Sequence, residues 1–472
     1  MDRQWYGGAT INRSAAGSRH AGGRFPRVLW VWTSNAIACA VLVLASAQTA
    51  RAAGVVGAGT ADSCTEAALD AALTGGGMVT FDCGGPAIIK SAAIKTIAAD
   101  TIIDGGNLIT LGVGFVVNVG VEFTVQHLTI GNGSARRLGG GPPGPPFKPA
   151  IANNGGKLTV ANSTLSANIG GAIVSGAGSA TTVARSTFMG TSGSAIVIQV
   201  GSLTTVTNST FTDNHSNALG GAIANRGTLT VANSTFTGNG VGAIYNGGTL
   251  TVSNSTLSAN IGSTTGYGGA IDNARTCGDA GTAPCSATLQ NTIVAGSVSG
   301  HNCAGPITDG GHNLDDGASC DFSTANGSLS NTDPQLDPAG LQNNGGSTET
   351  VALCTAVDMP AGCTAASPAI DAGDDSICAA APANDSDQRG FVRPGTSHTH
   401  CSTGAYETDA VAPVACIGDC DGNGSVTIDE VFTLVTVTLG EPASCLRGVP
   451  AAATVDVSLC LQAVRNALHG CQ

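Results

Sequence analysis

The chain is predicted to be all-β, a parallel β-helix whose short strands stack coil upon coil. Three observations predict it. A phrase recurs from Leu158 to about Val294, apolar and polar residues alternate within each copy, and asparagines fall in register between copies. The phrase reads Leu-Thr-Val-Ala-Asn-Ser-Thr-Leu at 158–165. It returns as Leu-Thr-Thr-Val-Thr-Asn-Ser-Thr-Phe at 203–211, Leu-Thr-Val-Ala-Asn-Ser-Thr-Phe at 229–236 and Leu-Thr-Val-Ser-Asn-Ser-Thr-Leu at 250–257. A weaker copy, Thr-Val-Ala-Arg-Ser-Thr-Phe, occupies 182–188. A period of roughly 23 residues belongs to a solenoid rather than a globule.

The strands follow from the alternation. Val and Thr dominate short runs separated by Gly, which is period-two patterning and not the 3.6-residue period of a helical repeat. Three short strands and three turns fill such a coil, and coils stack about 4.8 Å apart. Leu and Val point inward, and the intervening Thr faces solvent. The turns follow from two asparagine columns, Asn162, Asn208, Asn233, Asn254 and, six residues later, Asn168, Asn214, Asn239, Asn260. Asn tolerates left-handed backbone, and stacked amides bond along a ladder. Asn-Ser-Thr is also a glycosylation acceptor, but repetition in register favours the ladder.

Once the repeats are aligned, a resemblance emerges. Phe-Thr-Asp-Asn at 211–214 precedes Gly-Gly-Ala-Ile at 220–223, and the pairing recurs at 165–168 with 170–173, 236–239 with 241–244, and 257–260 with 268–271. These pairs resemble the repeats of polymorphic outer-membrane proteins. The resemblance spans roughly 150–273 and implies a right-handed parallel β-helix on a bacterial surface. The tail at 469–472 departs from that family, because it shows no alternating strands of a barrel translocator.

Composition agrees with a solenoid. Glycine makes up 68 of 472 residues and charged residues 11%, against about 25% charged in ordinary globular chains. The formal net charge of −13 argues against nucleic acid as a partner. Residues 1–52 read as an export signal, with Arg24 and Arg27, an apolar stretch over 36–47 and small residues Ala50 and Ala52 at a cleavage site. No membrane span is expected after cleavage, and the protein is expected to be secreted or displayed at the bacterial cell surface. Sixteen cysteines, less one in the signal, leave an odd number for an oxidising compartment. Local candidate pairs are Cys64–Cys83, Cys277–Cys285, Cys303–Cys320 and Cys354–Cys363, although sequence alone does not fix the connectivity. The first brackets an amphipathic stretch, Thr65 to Leu73, expected as a helix capping the solenoid.

The parallel β-helix is expected over 53–330, with its period failing after Asn291. The Pro- and Gly-rich insertion at 135–148 is expected to protrude, since proline lacks the ladder donor. Five motifs then occur in order at 333–338, 343–348, 367–373, 387–390 and 404–407. The series resembles the end-of-helix region of exported bacterial β-helix proteins sometimes called choice-of-anchor domains, and implies a C-terminal cap over 331–410. Its Asp371, Asp374, Asp375, Asp385 and Asp387 read first as turn formers and second as calcium donors.

A separate module is expected over 416–472. Asp419, Asp421, Asn423, Ser425, Thr427 and Glu430 place oxygens at positions 1, 3, 5, 7, 9 and 12 of a calcium loop, the seventh through its backbone carbonyl, with Gly424 at the turn. A helix from Val431 to Leu439 should leave the loop. It resembles dockerin and related EF-hand modules, which implies one bound Ca2+. A second dockerin loop would begin at Leu446 and place Gly448 and Pro450 at ligand positions, none with a side-chain oxygen. Cohesin-like partners are therefore disfavoured, although a second helix over Val457 to Leu468 is expected to persist. Cys460 lies on its apolar face and is expected to be the unpaired thiol.

Catalysis is not expected from the repeats. Between 151 and 300 the acids are Asp213, Asp272 and Asp279, and they share no column. Glycoside cleavage needs paired carboxylates. His398 and His400 read as loop residues. The expected role is structural or adhesive, towards a carbohydrate or other cell-surface ligand. A polysaccharide lyase or glycoside hydrolase of the β-helix class is the second reading.

Overall fold

The computed structural model describes residues 52–131 except 92, 149–262 except 218, 266–274, 277, 285–412 except 358, 416–420, 426–438, 445 and 457–469. The export signal, the 135–148 insertion and the expected second calcium loop lie outside them. Gln48–Ala415 forms one compact unit, to which Cys416–Gln472 does not belong.

The larger unit is an all-parallel β-solenoid of right-handed type. From Lys157 to Asn246 each coil contributes a five-residue strand, a three-residue strand and a third strand of three residues. The coil at 203–225 shows the pattern in Leu203–Thr207, Thr210–Thr212 and Ile223–Asn225. Equivalent strands pair in register from coil to coil, so identical side chains stack. In the long-strand ladder Val125, Val160, Val183, Val206, Val231, Val252 and Leu289 form one inward column. In the short-strand ladder Phe188, Phe211 and Phe236 stack with centroids 4.7 Å apart and nearly parallel rings. All three are fully buried, each worth about 1.5–3 kcal/mol in transfer from water. The third ladder stacks Ile151, Ile173, Ile196, Ile223, Ile244 and Ile271. Inward leucine is not universal: Thr181 and Thr204 replace it in two coils, and Thr204 Oγ1 is buried with no partner.

The asparagine columns are where the spacing places them. Asn162, Arg185, Asn208, Asn233, Asn254 and Asn291 each have φ between 45° and 51°. The serine after each of the first five, and Thr292 after Asn291, closes the turn. Ser209 Oγ donates to Thr207 O at 2.7 Å and accepts from Ser186 N in the neighbouring coil at 3.2 Å. The second column is an amide ladder: Asn214 Nδ2 donates to Asn239 Oδ1, and Asn239 Nδ2 to Asn260 Oδ1, both at 3.0 Å. A third ladder was not anticipated. Asn225, Asn246 and Asn273 pass Nδ2 to Oδ1 at 2.7 Å, all nearly inaccessible to solvent.

The N-terminal end is closed as expected. A helix, Glu66–Leu73, is capped by Thr65 and buries Leu69 and Ala72 against the first coil. The Cys64–Cys83 disulfide ties it to the end of Gly77–Phe81. The other three local disulfides also form, and Cys378–Cys401 joins them. Loss of the sequence period at Asn291 does not end the solenoid. Ile293–Ala295, His301–Ala304, Thr308–Asp309 and Leu314–Asp315 still stack on the coil before them. Backbone pairing needs extended chain, not a repeated side chain.

Residues 343–408 run back along the flank of the coils. Thr348 Oγ1 donates to Asn208 O, Asn233 Nδ2 to Ser386 O and Asn254 Nδ2 to Ile377 O, while Gly404 N donates to Asn291 O. This strap covers the outer side of the short-strand ladder from Thr210 to Ile293, where Thr210, Thr235, Thr256 and Ile293 are buried. Thr164 and Thr187, in coils it does not reach, stay half-exposed.

Candidate functional site

Of the six expected calcium ligands, Asp419, Thr427 and Glu430 are described, and Asp421, Asn423 and Ser425 lie outside the described residues. Glu430 is in the first turn of the helix Ile428–Thr438, and Asp419 at the opposite end of the loop; both are buried. One Glu430 oxygen accepts from Cys420 N at 2.9 Å. The other accepts from Thr427 N at 2.7 Å and Thr427 Oγ1 at 2.9 Å. Thr427 Oγ1 in turn accepts from Glu430 N at 3.3 Å. This reciprocal pair is a capping box, a role that the Thr-x-x-Glu spacing also announces. Glu430 thus draws both ends of the loop together by hydrogen bonds, in the place where the twelfth ligand of a calcium loop closes it. Hard oxygen donors and buried carboxylates fit a calcium ion. Thr427, already committed to the cap, is the poorest donor of the set.

The frame around the loop is disulfide-bound. Cys420 pairs with Cys445, and Cys416 is also bonded. Asn466 Nδ2 donates to Ile417 O at 2.9 Å from the second helix, Val457–His469. Cys460 is the free cysteine among the described residues and is fully buried against Leu434 and Ala463.

The acidic series in the strap has structural work. Asp374 caps the helix Asp375–Ala379. Asp371 accepts from Thr399 N at 2.9 Å and from His400 N; although partial burial opposes ionisation, these bonds hold its carboxyl below the ordinary range. Asp375 accepts from Cys401 N and meets His400 Nδ1 at 2.8 Å, while His398 Nε2 bonds Thr408 Oγ1 at 2.9 Å. The two histidines therefore serve different partners.

Asp387 belongs to a buried knot. Its carboxylate accepts from Arg389 Nε at 2.8 Å and from Glu407 N at 3.1 Å. Arg389 stacks on Tyr406 at 3.9 Å and on Phe391 at 4.4 Å, and donates to Asn344 O. Arg393 donates to Ser402 O and Gly404 O, with Glu407 at 3.6 Å. Gln388 reaches out of the knot to Thr210, Thr235 and Thr348. Three of the five sequence motifs thus converge on one clamp between strap and coils.

On the repeats, Asp213 occupies a left-handed turn at φ 54°, and Asp272 the outer side of the third ladder. Asp279 lies outside the described residues. Beside Asp272 stand Tyr245, one coil away in register, and Tyr267. Neither tyrosine was singled out from sequence. Aligning Ile244-Tyr245 with Ile271-Asp272 would have found the pair.

Residues 147–276 match the family described as right handed beta helix region. The match covers the repeats and agrees with the coil architecture. No curated protein and no solved structure matches the chain. Among the described residues, no helix is long and apolar enough to cross a membrane.

Proposed function

We propose that this is an exported bacterial β-helix protein that displays an extended surface for structural or adhesive contact, and that carries a calcium-binding module at 416–472. The layout of acids on the coils carries the reading. Between 151 and 300 the described acids Asp213 and Asp272 sit on different sides of the solenoid, so the repeats themselves bring no carboxylate pair to one bond as glycoside cleavage requires. Six disulfides with both partners among the described residues support an oxidising compartment. The strap keeps the choice-of-anchor resemblance, and 416–472 is the segment through which attachment would occur.

A glycan array combined with a reducing-sugar assay on the intact chain tests the role. Binding without product supports display. Product release would move the protein to the second reading, a polysaccharide lyase or hydrolase, for which Asp272 is the candidate acid. Its carboxyl is pushed above the ordinary range by burial. For the metal, calorimetry with Ca2+ should give one site, lost in Asp419→Ala and Glu430→Ala. Thr427→Ala should retain calcium binding while losing about 1 kcal/mol of helix capping. Two sites would overturn the assignment of a single functional loop.

A further inference from the structure

The outer side of the third ladder is nearly uniform. Ala152, Val174, Val197 and Ala224 succeed one another in register, and Ala304 ends the row. Two consecutive coils break the row with Tyr245 and then Asp272. With Tyr267 and the small residues Gly266, Ala304 and Gly305 they line a cleft of about 300 Å³. The Tyr245 ring lies against Gly247: a Cβ there would stand 3.3 Å from Cε1 and 3.5 Å from the hydroxyl oxygen. Glycine at 247 thus lets the ring lie down along the surface.

The polar groups of the cleft are unused. Asp272 is half-buried, and neither its carboxylate nor the Tyr245 and Tyr267 hydroxyls have a hydrogen-bond partner among the described residues. The neighbouring Asn273 is already committed to the amide ladder and to Pro306 O. A ligand here must offer apolar C–H groups to a ring and O–H or N–H donors to a carboxylate that only accepts. An ammonium group would satisfy Asp272 but leave both phenols without an acceptor. A uronic acid would set like charge against Asp272. A neutral sugar ring meets all three groups.

We propose that the Tyr245–Tyr267–Asp272 cleft binds a neutral saccharide unit, with a pyranose face on Tyr245 and ring hydroxyls donating to Asp272. The proposal rests on the display reading and gives it a ligand class and a place. Calorimetry on the intact chain would use neutral gluco-, galacto-, manno- and xylo-tetrasaccharides as probes. At least one should bind, with affinity lowered about tenfold in Tyr245→Ala, the scale of a lost aromatic contact. Asp272→Asn should weaken binding as well, and Tyr245→Phe should weaken it less than Tyr245→Ala. Thermal melts matching the parent show that the variants fold.

Wild-type protein that binds none of the four overturns the proposal. So does equal affinity in Tyr245→Ala and the parent, or displacement of a bound tetrasaccharide by tetramethylammonium at comparable concentration. If glycan-array binding persists in the Tyr245→Ala/Asp272→Asn double variant, the display reading stands and the cleft falls. If the cleft binds and reducing ends appear, the cleft stands and the non-catalytic reading falls.

Discussion

The coils at 158–189 and those at 203–293 are written in nearly the same phrase, yet their outer sides live in different environments. Thr164 and Thr187 face water. Thr210 donates to Glu349 O, Thr235 donates to Gln388 Oε1 at 2.6 Å, and Thr256 accepts from Ala405 N at 3.0 Å. The left-handed turn column divides at the same place. Asn208, Asn233 and Asn254 spend their amides on strap carbonyls. Asn162 instead meets His127 at 3.4 Å and Arg185 at 3.2 Å. The repeated phrase therefore encodes the inside of the coil, where each residue stacks on its own kind. What lies outside is decided by a segment more than a hundred residues away.

The largest effect should come from the clamp that holds the strap. Arg393 is 2% exposed and Glu407 and Asp387 are fully buried. Arg393→Ala leaves the Glu407 carboxylate buried without its guanidinium, while Asp387 keeps Arg389, and costs about 3–5 kcal/mol. Denaturant unfolding should show that loss. Hydrogen exchange should rise over 203–258 and stay unchanged over 158–189. Equal loss of protection in both stretches would mean that the strap and coils do not form separable layers.

A smaller contrast tests single threonines. Thr235→Val removes a buried hydroxyl that serves Gln388, and should destabilise by about 1 kcal/mol. Thr187→Val, on a half-exposed position, should change stability by no more than about 0.5 kcal/mol. Identical effects at both positions would break the distinction between covered and open coils.

These differences explain what the sequence made legible. Stacking demands like residues one coil apart, so Val160, Val183 and Val206 announce their column through spacing alone. The left-handed turns at Asn162, Asn208, Asn233 and Asn254 were legible for the same reason. The coil after Asn291 was not, because its strands pair through backbone and share no phrase with the rest. The third amide ladder occupies only three coils; Asn153, Ser175 and Ile198 hold its earlier positions, which blurs the pattern. The strap resisted prediction because its partners are solitary: no second copy of Gln388 or Arg393 exists to reveal a period. In the proposed calcium loop the spacing of Asp419 and Glu430 suggested ligand positions. The capping box at Thr427 and Glu430 was hidden by it, since one glutamate fits both patterns.

The smallest expected effect concerns charge in the open half of the turn column. Burial opposes ionisation of Asp104, but hydrogen bonds from His127, Gly106 and Gln126 outweigh it and hold the carboxyl below the ordinary range. A carboxyl depressed on folding contributes stability above its unfolded pKa, about 3.9. That contribution is lost as pH falls through the lower folded value, because the unfolded chain binds the proton first. Asp104→Asn should therefore lower stability at neutral pH and narrow its difference from the parent at low pH. Asn233→Ala, in the covered half, removes a bond to a backbone carbonyl that does not titrate. Its cost should stay constant across the same acid range. Parallel unfolding titrations of the two variants read the contrast directly, and a pH-independent cost for Asp104→Asn would show that the open half is held by shape and not by charge.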